Sequence, residues 1–311
     1  MIEIFKKDGD RLVKVPDIVP NSWINLSNPE NEEIDRISRE LSIPRDFITD
    51  SLDPEERSRI EIEDGIRLII LRVPLRNYDN EEIPFITLPV GIILTEDIML
   101  TVCRDSDTVW DLLSHKVVSR DFSEKNRKRL ILRIFQKTVT LYLRFLKEIN
   151  HKIQLVENLF HDMMRNEEII KLLNLEKSLV YFATSLKSNE LVVEKILRIN
   201  ILPLDEDDRD EIEDIIIDNK QAIEMSNIYS SILRDMMDAF SSVIGNNLNI
   251  VMKFLTSITI ILMIPTLVTS FYGMNIPLPF QHHPYALLIV SLISLVLTLI
   301  GIIIFAKRRL F

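Results

Sequence analysis

The chain has 311 residues, 27% of them charged, and a formal net charge of −10. An acidic balance of that size has the wrong sign for a nucleic-acid partner, whose phosphates need Lys and Arg. A single cysteine, Cys103, excludes a disulfide framework and a zinc-type cysteine pattern, and only six glycines in the whole chain favour long helices over a loop-rich fold.

Residues 1–123 read as a mixed α/β domain. Short β-branched segments bounded by Pro, Gly, Asn and Asp predict strands at Arg11–Val15, Trp23–Leu26, Ile60–Glu63, Arg67–Val73, Phe85–Leu94 and Ile98–Cys103. Cys103 closes an apolar run, which suits a small buried residue rather than a thiol centre. Asn31–Leu41 has helical spacing, with Ile34, Ile37 and Leu41 on one face. Pro44 ends that helix or starts a turn, because proline fixes φ and has no N–H to donate. Arg104–Thr108 reads as a linker into a further helix.

Residues 124–249 read as a helical stalk. Leu130, Ile134, Thr138, Leu141, Phe145 and Ile149 recur every three or four residues, and the stripe continues through Ile153, Val156 and Phe160. A second helix, about Glu167–Asn200, carries Leu172, Leu175, Leu179, Phe182, Leu186, Val193 and Leu197 and is stopped by Pro203. Asp205–Asp214 then places acids at the start of a third helix, where the dipole favours negative charge. Pro265 is the only proline between there and Phe271, so Asp205–Phe271 predicts one nearly continuous helix, about 100 Å long at ~1.5 Å per residue. Such a helix must pack along its length, and oligomerisation is the simple way to achieve that.

Residues 254–306 contain no Asp, Glu, Lys or Arg. Two apolar runs, Phe254–Phe271 and Tyr285–Ala306, flank a short Pro-rich piece, and each is about long enough to cross a ~30 Å hydrocarbon core. The predicted order is a first span over residues 250–272, a loop over 273–284, a second span over 285–306 and a basic tail over 307–311. Lys253 precedes the first apolar run, Lys307, Arg308 and Arg309 follow the second, and the loop has neither Lys nor Arg. Both termini are therefore expected on the cytoplasmic side of the cell membrane, with the loop outside. His282 and His283 are the only imidazoles near the spans, and exposed loop histidines are as a rule simply solvated.

Within the first span, Asn249, Met252, Thr256, Thr259, Met263, Thr266, Ser270 and Gly273 fall at alternating steps of three and four. That is the seam of a helix packed nearly parallel to copies of itself, yet it is polar where a soluble seam would be Leu and Ile. Polar groups in a membrane helix turn toward partners or water. One reading is ordinary small-residue helix packing; the other is a conduit along an oligomer axis, which needs several chains because two spans cannot enclose a pore. Neutral oxygens suit a hard cation that keeps its water, as Mg2+ does, and the absence of His and Cys from the stripe disfavours softer metals.

At Gly273-Met274-Asn275, preceded by Tyr272 and closing the first of two C-terminal spans, the chain resembles the CorA family of magnesium channels. Met252-Lys253-Phe254-Leu255-Thr256 and, upstream, Leu52-Asp53-Pro54-Glu55-Glu56-Arg57-Ser58-Arg59-Ile60-Glu61 carry the resemblance over essentially the whole chain. It implies a funnel-shaped homopentamer, with a cytoplasmic α/β domain, a stalk of long helices and two transmembrane helices, that conducts Mg2+ and is gated by intracellular Mg2+. Gly273, Met274 and Asn275 would form the selectivity filter, with Asn275 contacting a hydrated ion. Asn249 would ring the inner mouth, Met252, Leu255 and Met263 would be apolar constrictions, and Lys307, Arg308 and Arg309 would form a basic belt. Asp214 and Asp238, with Asp79 from a neighbouring domain, would hold the regulatory Mg2+.

The external loop departs from many family members, since residues 276–284 contain no acid. Mg2+, Co2+, Ni2+ and Zn2+ all remain open as cargo, and a Zn2+ transporter of the same fold is an alternative. An alternative from another class is a membrane-anchored sensor or scaffold, which has no need of the polar stripe. The sequence shows no Gly-rich phosphate loop, no Ser-His-Asp arrangement and no metal-ligand cluster, so an enzyme is not expected.

Overall fold

The computed structural model describes residues 1–9, 11–77, 82–105, 108–113, 118, 122, 127–158, 166–199, 201–280 and 283–308. The chain divides into two compact units, Met1–Arg234 and Asp235–Phe311.

The first unit is built on a seven-stranded sheet in the order β2-β1-β3-β7-β6-β5-β4. Its strands are β1 (Ile2–Asp8), β2 (Arg11–Val15), β3 (Trp23–Ser27), β4 (Arg59–Glu63), β5 (Ile66–Arg76), β6 (Phe85–Leu94) and β7 (Met99–Cys103). β3 and β7 run parallel, and the other described pairings are antiparallel. The strand over Arg11–Val15, the strand over Phe85–Leu94 and the helix over Asn31–Leu41 fall where the residue pattern puts them.

Alternation along β5 assigns the two faces. Leu68 and Ile70 pack with α1 (Asn31–Leu41) and α2 (Arg45–Asp50), through Ile34, Ile37, Phe47 and Ile48. Ile69, Leu71 and Val73 pack on the opposite face against α3 (Thr108–Leu112), α4 (Arg127–Asn158) and α5 (Asn166–Ile199), through Val109, Leu130, Ile134, Val193 and Ile196. Both faces are covered, so β5 is apolar at successive positions rather than at every second one. On the α2 side, Gly91 of β6 lies where a Cβ would collide with the Ser51 side chain.

A charged group, Arg72, enters this layered core. The Arg72 guanidinium donates to the carbonyls of Pro54, Glu56 and Thr87 and to the hydroxyls of Thr87 and Ser185, which ties the 54–56 loop to β6 and α5. Burial pushes its pKa below the ordinary arginine value. The same burial raises the Tyr142 phenol, whose hydroxyl donates to the Arg72 carbonyl.

The third long helix, α6, runs Glu206–Tyr272. Asp205 caps it reciprocally: the Asp208 N–H donates to the Asp205 carboxylate at 2.9 Å, and the Asp205 N–H donates to the Asp208 carboxylate at 3.0 Å. Within the first unit α6 lies antiparallel to α5. The Asn219 amide donates to the Leu186 carbonyl and the Ser226 hydroxyl to the Leu179 carbonyl, each at 3.0 Å, a seven-residue step on both helices. The domain boundary expected at 123/124 and the stripe residue Phe160 lie outside the described residues.

Candidate functional site

Among the described residues, the second unit holds the end of α6 and one further helix, α7 (Ala286–Lys307). Both are long and apolar enough to cross a membrane, and very little of either span is buried by the protein itself. Their mutual contact leaves a clear trace on α6. Ser257 and Val268 are buried and Ile261, Ile264 and Tyr272 are half-buried, at steps of four, three, four and four. On α7 Ser294 and Gly301 are buried, and Ala286, Ile289, Val290, Thr298 and Phe305 are half-buried. A Cβ on Gly301 would stand 2.9 Å from Ile264 Cδ1, so glycine lets the helices close together there.

The polar seam is a different stripe. Asn249, Met252, Thr256, Thr259, Met263, Thr266, Ser270 and Gly273 are all exposed in the chain. At 100° per residue the seam lies roughly 150° from the stripe that meets α7. The helix therefore buries one side against its own partner and leaves the polar side without a neighbour. Leu255 is also exposed, on the flank of the seam. Leu262 and Leu267 are exposed too, at 64% and 62%, and as pure hydrocarbon they suit lipid.

Two of the seam hydroxyls, those of Thr259 and Thr266, are already committed. Thr259 donates to the Leu255 carbonyl at 2.8 Å and Thr266 to the Leu262 carbonyl at 3.1 Å. Each spends its proton on its own helix, so what faces outward is an oxygen with acceptor capacity.

Past the end of α6, the Gly273 N–H donates to the Thr269 carbonyl and the Met274 N–H to the Phe271 carbonyl, which closes the helix in a tight turn. A Cβ on Gly273 would meet its own helix only at ordinary contact distance, 3.4 Å from the Thr269 carbonyl. Nothing among the described residues therefore demands glycine at this position. Gly273, Met274 and Asn275 are exposed together at the turn. The Tyr272 hydroxyl donates to the Pro279 carbonyl at 3.3 Å and so ties the loop back to the helix, a role not evident from the residue pattern.

Asp214 lies in the first unit and Asp238 in the second; both are exposed, and neither joins an ion pair among the described residues. Asp79, Arg309 and His282 lie outside the described residues. Lys307 and Arg308 stand exposed at the end of α7. Among the described residues no group of three or more His, Cys, Asp or Glu side chains is placed to hold a metal. The α7-facing stripe escapes a reading of polarity alone, although its 4-3-4-4 spacing is present in the sequence.

A family model described as CorA-like Mg2+ transporter protein matches residues 21–308. The cobalt/magnesium transport protein CorA of Methanocaldococcus jannaschii is 30% identical over 291 residues, covering 92% of this chain and 90% of its own. The magnesium transport protein CorA of Helicobacter pylori is 23% identical, over 92% of this chain and 89% of its own. The complete structure of the M. jannaschii CorA magnesium transporter superposes with a TM-score of 0.84 at 29% identity, covering 99% of this chain and 98% of that one.

Proposed function

Since the chain belongs to the CorA-like Mg2+ transporter family, a family of membrane transporters and not of enzymes, we propose that it is a channel carrying Mg2+ into the cell across the cytoplasmic membrane. The observation that carries this reading is the unpartnered polar seam on the side of α6 turned away from α7. In a bilayer that seam must be satisfied by water or by other helices. Copies of the chain around a shared axis supply both, and five copies agree with the family resemblance.

In this reading α6 lines the path and α7 faces lipid. Asn275 forms the outer ring: its amide offers a donor and an acceptor to the shell of a hydrated ion. Mg2+ gives up its water reluctantly, so recognition through the shell suits it. Met274 and Gly273 complete the filter, and Asn249 rings the inner end. Met252, Leu255 and Met263 are constrictions that dewet when the path narrows. Lys307, Arg308 and Arg309 belt the cytoplasmic end, and both termini are cytoplasmic. Asp214 and Asp238, with Asp79 of a neighbour, sense internal Mg2+ between chains. The divisions at 1–123, 124–249, 250–272, 273–284, 285–306 and 307–311 are the segments through which this works. Co2+ and Ni2+ are companion candidates as hydrated divalent ions, whereas the seam offers no imidazole or thiolate to select Zn2+.

Flux in proteoliposomes, with Mg2+, Co2+, Ni2+ and Zn2+ supplied in separate arms, tests the proposal. Asn275→Ala should abolish Mg2+ flux while native mass spectrometry still reports five chains. Wild-type flux from that variant would sink the selectivity ring, and a monomer or dimer in the wild type would sink the shared axis.

A further inference from the structure

Three cations stand at one end of the helix pair in the second unit. Lys253, Lys307 and Arg308 are exposed, and none has a carboxylate partner among the described residues. The register between the helices brings them together. Gly301 packs on Ile264; two turns further along, Arg308 comes opposite Ser257, which is 2% exposed. Lys253 is one turn beyond Ser257, on the flank leading to α7 and off the polar seam. No Asp or Glu occurs after Asp238, which is about 22 Å from Lys253 along α6 at the helical rise. The unit therefore cannot neutralise this corner locally with its own side chains.

The surface beside the corner is apolar. Ile303 and Ile304, one turn before Lys307 and Arg308, are 63% and 54% exposed. The other end of the helix pair, from Tyr272 to Tyr285, has no Lys or Arg at all. A ligand that fits must be an anion continuous with hydrocarbon. A soluble phosphate satisfies only the first condition, and an anionic phospholipid satisfies both.

We propose that Lys253, Lys307 and Arg308 form a docking corner for the headgroup of an anionic phospholipid. The proposal rests on reading α6 and α7 as bilayer spans, but not on the identity of the transported ion. The headgroup lies against the three cations while the acyl chains run along the exposed Ile303–Ile304 side of α7.

The test uses the full chain in nanodiscs containing equal phosphatidylglycerol and phosphatidylcholine, with the lipid retained on release measured by native mass spectrometry. Wild type should retain phosphatidylglycerol in preference to phosphatidylcholine. Each charge removed in the series Lys253→Gln, Lys307→Gln and Arg308→Gln should lower that preference about fivefold. The charge-preserving triple variant Lys253→Arg, Lys307→Arg, Arg308→Lys should keep it, which separates loss of binding from misfolding. Equal retention of the two lipids by wild type would overturn the proposal. So would displacement by millimolar glycerol phosphate, which would mark a small-anion site instead. Mg2+ flux from the same preparations is read separately: lipid preference without flux would count against the channel reading and leave the lipid corner standing, while flux without preference would do the reverse.

Discussion

A Cβ on Gly91 would run into the Cβ and Oγ of Ser51, a side chain with no solvent exposure whose hydroxyl is tied to the Phe47 carbonyl. Gly91→Ala should therefore cost about 1–3 kcal/mol, and the double variant Gly91→Ala, Ser51→Gly should recover part of it; denaturant unfolding of both decides. Asp205 offers a pH test. The Lys128 ammonium, then the Asp208 N–H, hold its carboxyl down at about 2 against an ordinary 3.8. The folded value is depressed, so this stabilisation is present above pH 3.8 and is lost as pH falls toward 2. Asp205→Asn keeps an N-cap but loses the charge, so its melting temperature should fall less than that of wild type across that window. Polarity in or beside an apolar span draws the eye to single residues such as Asn249, Thr259 and Asn275, all exposed in the chain. Gly91 is not legible in this way, because its requirement comes from a helix forty residues earlier in the chain. Gly301 is hidden in the same way by its contact with Ile264.

At the scale of elements, periodicity locates the long helices and most strands because both faces of the sheet demand continuous apolar runs. It misses β1, whose Lys6–Lys7 pair breaks the apolar alternation, and α2, whose six residues are too few to display a stripe. The α5–α6 pairing is half legible: the apolar stripe of α5 is visible, but Asn219 and Ser226 give no sequence signal that they face a helix rather than water. Both are buried and both donate to carbonyls of α5. Asn219→Ala and Ser226→Ala should each destabilise the first unit by about 1 kcal/mol. Because the positions are about 10 Å apart along the helix, the two costs should add. A double-mutant cycle by chemical denaturation checks this, and strong coupling would mean the register is set elsewhere.

For the whole molecule, the charge boundary near residue 254 points to a membrane protein, in agreement with the transporter family to which the chain belongs. What a single sequence does not display is which side of α6 its own chain covers. That depends on α7, and it leaves the polar seam free. The gating proposal belongs at this scale too. A ligand shifts an equilibrium only by binding one state better, and a site shared between chains exists only when they are close. Internal Mg2+ should therefore favour the closed, symmetric assembly. Asp214→Lys or Asp238→Lys should make flux less sensitive to internal Mg2+ and remove Mg2+ protection against proteolysis. If the double variant retains both responses, the sensor lies elsewhere.

In the proposed channel, the back-donated hydroxyls of Thr259 and Thr266 have a consequence for charge discrimination. A water molecule resting against a surface of acceptors turns its hydrogens toward the wall, and its oxygen then points away. That is the orientation water already has around a cation, with oxygen inward and hydrogens outward. A hydrated Mg2+ passing such a wall keeps its shell oriented as it was, whereas a hydrated anion would have to turn its waters over. The stripe can thus favour one sign of charge over the other without carrying any formal charge of its own.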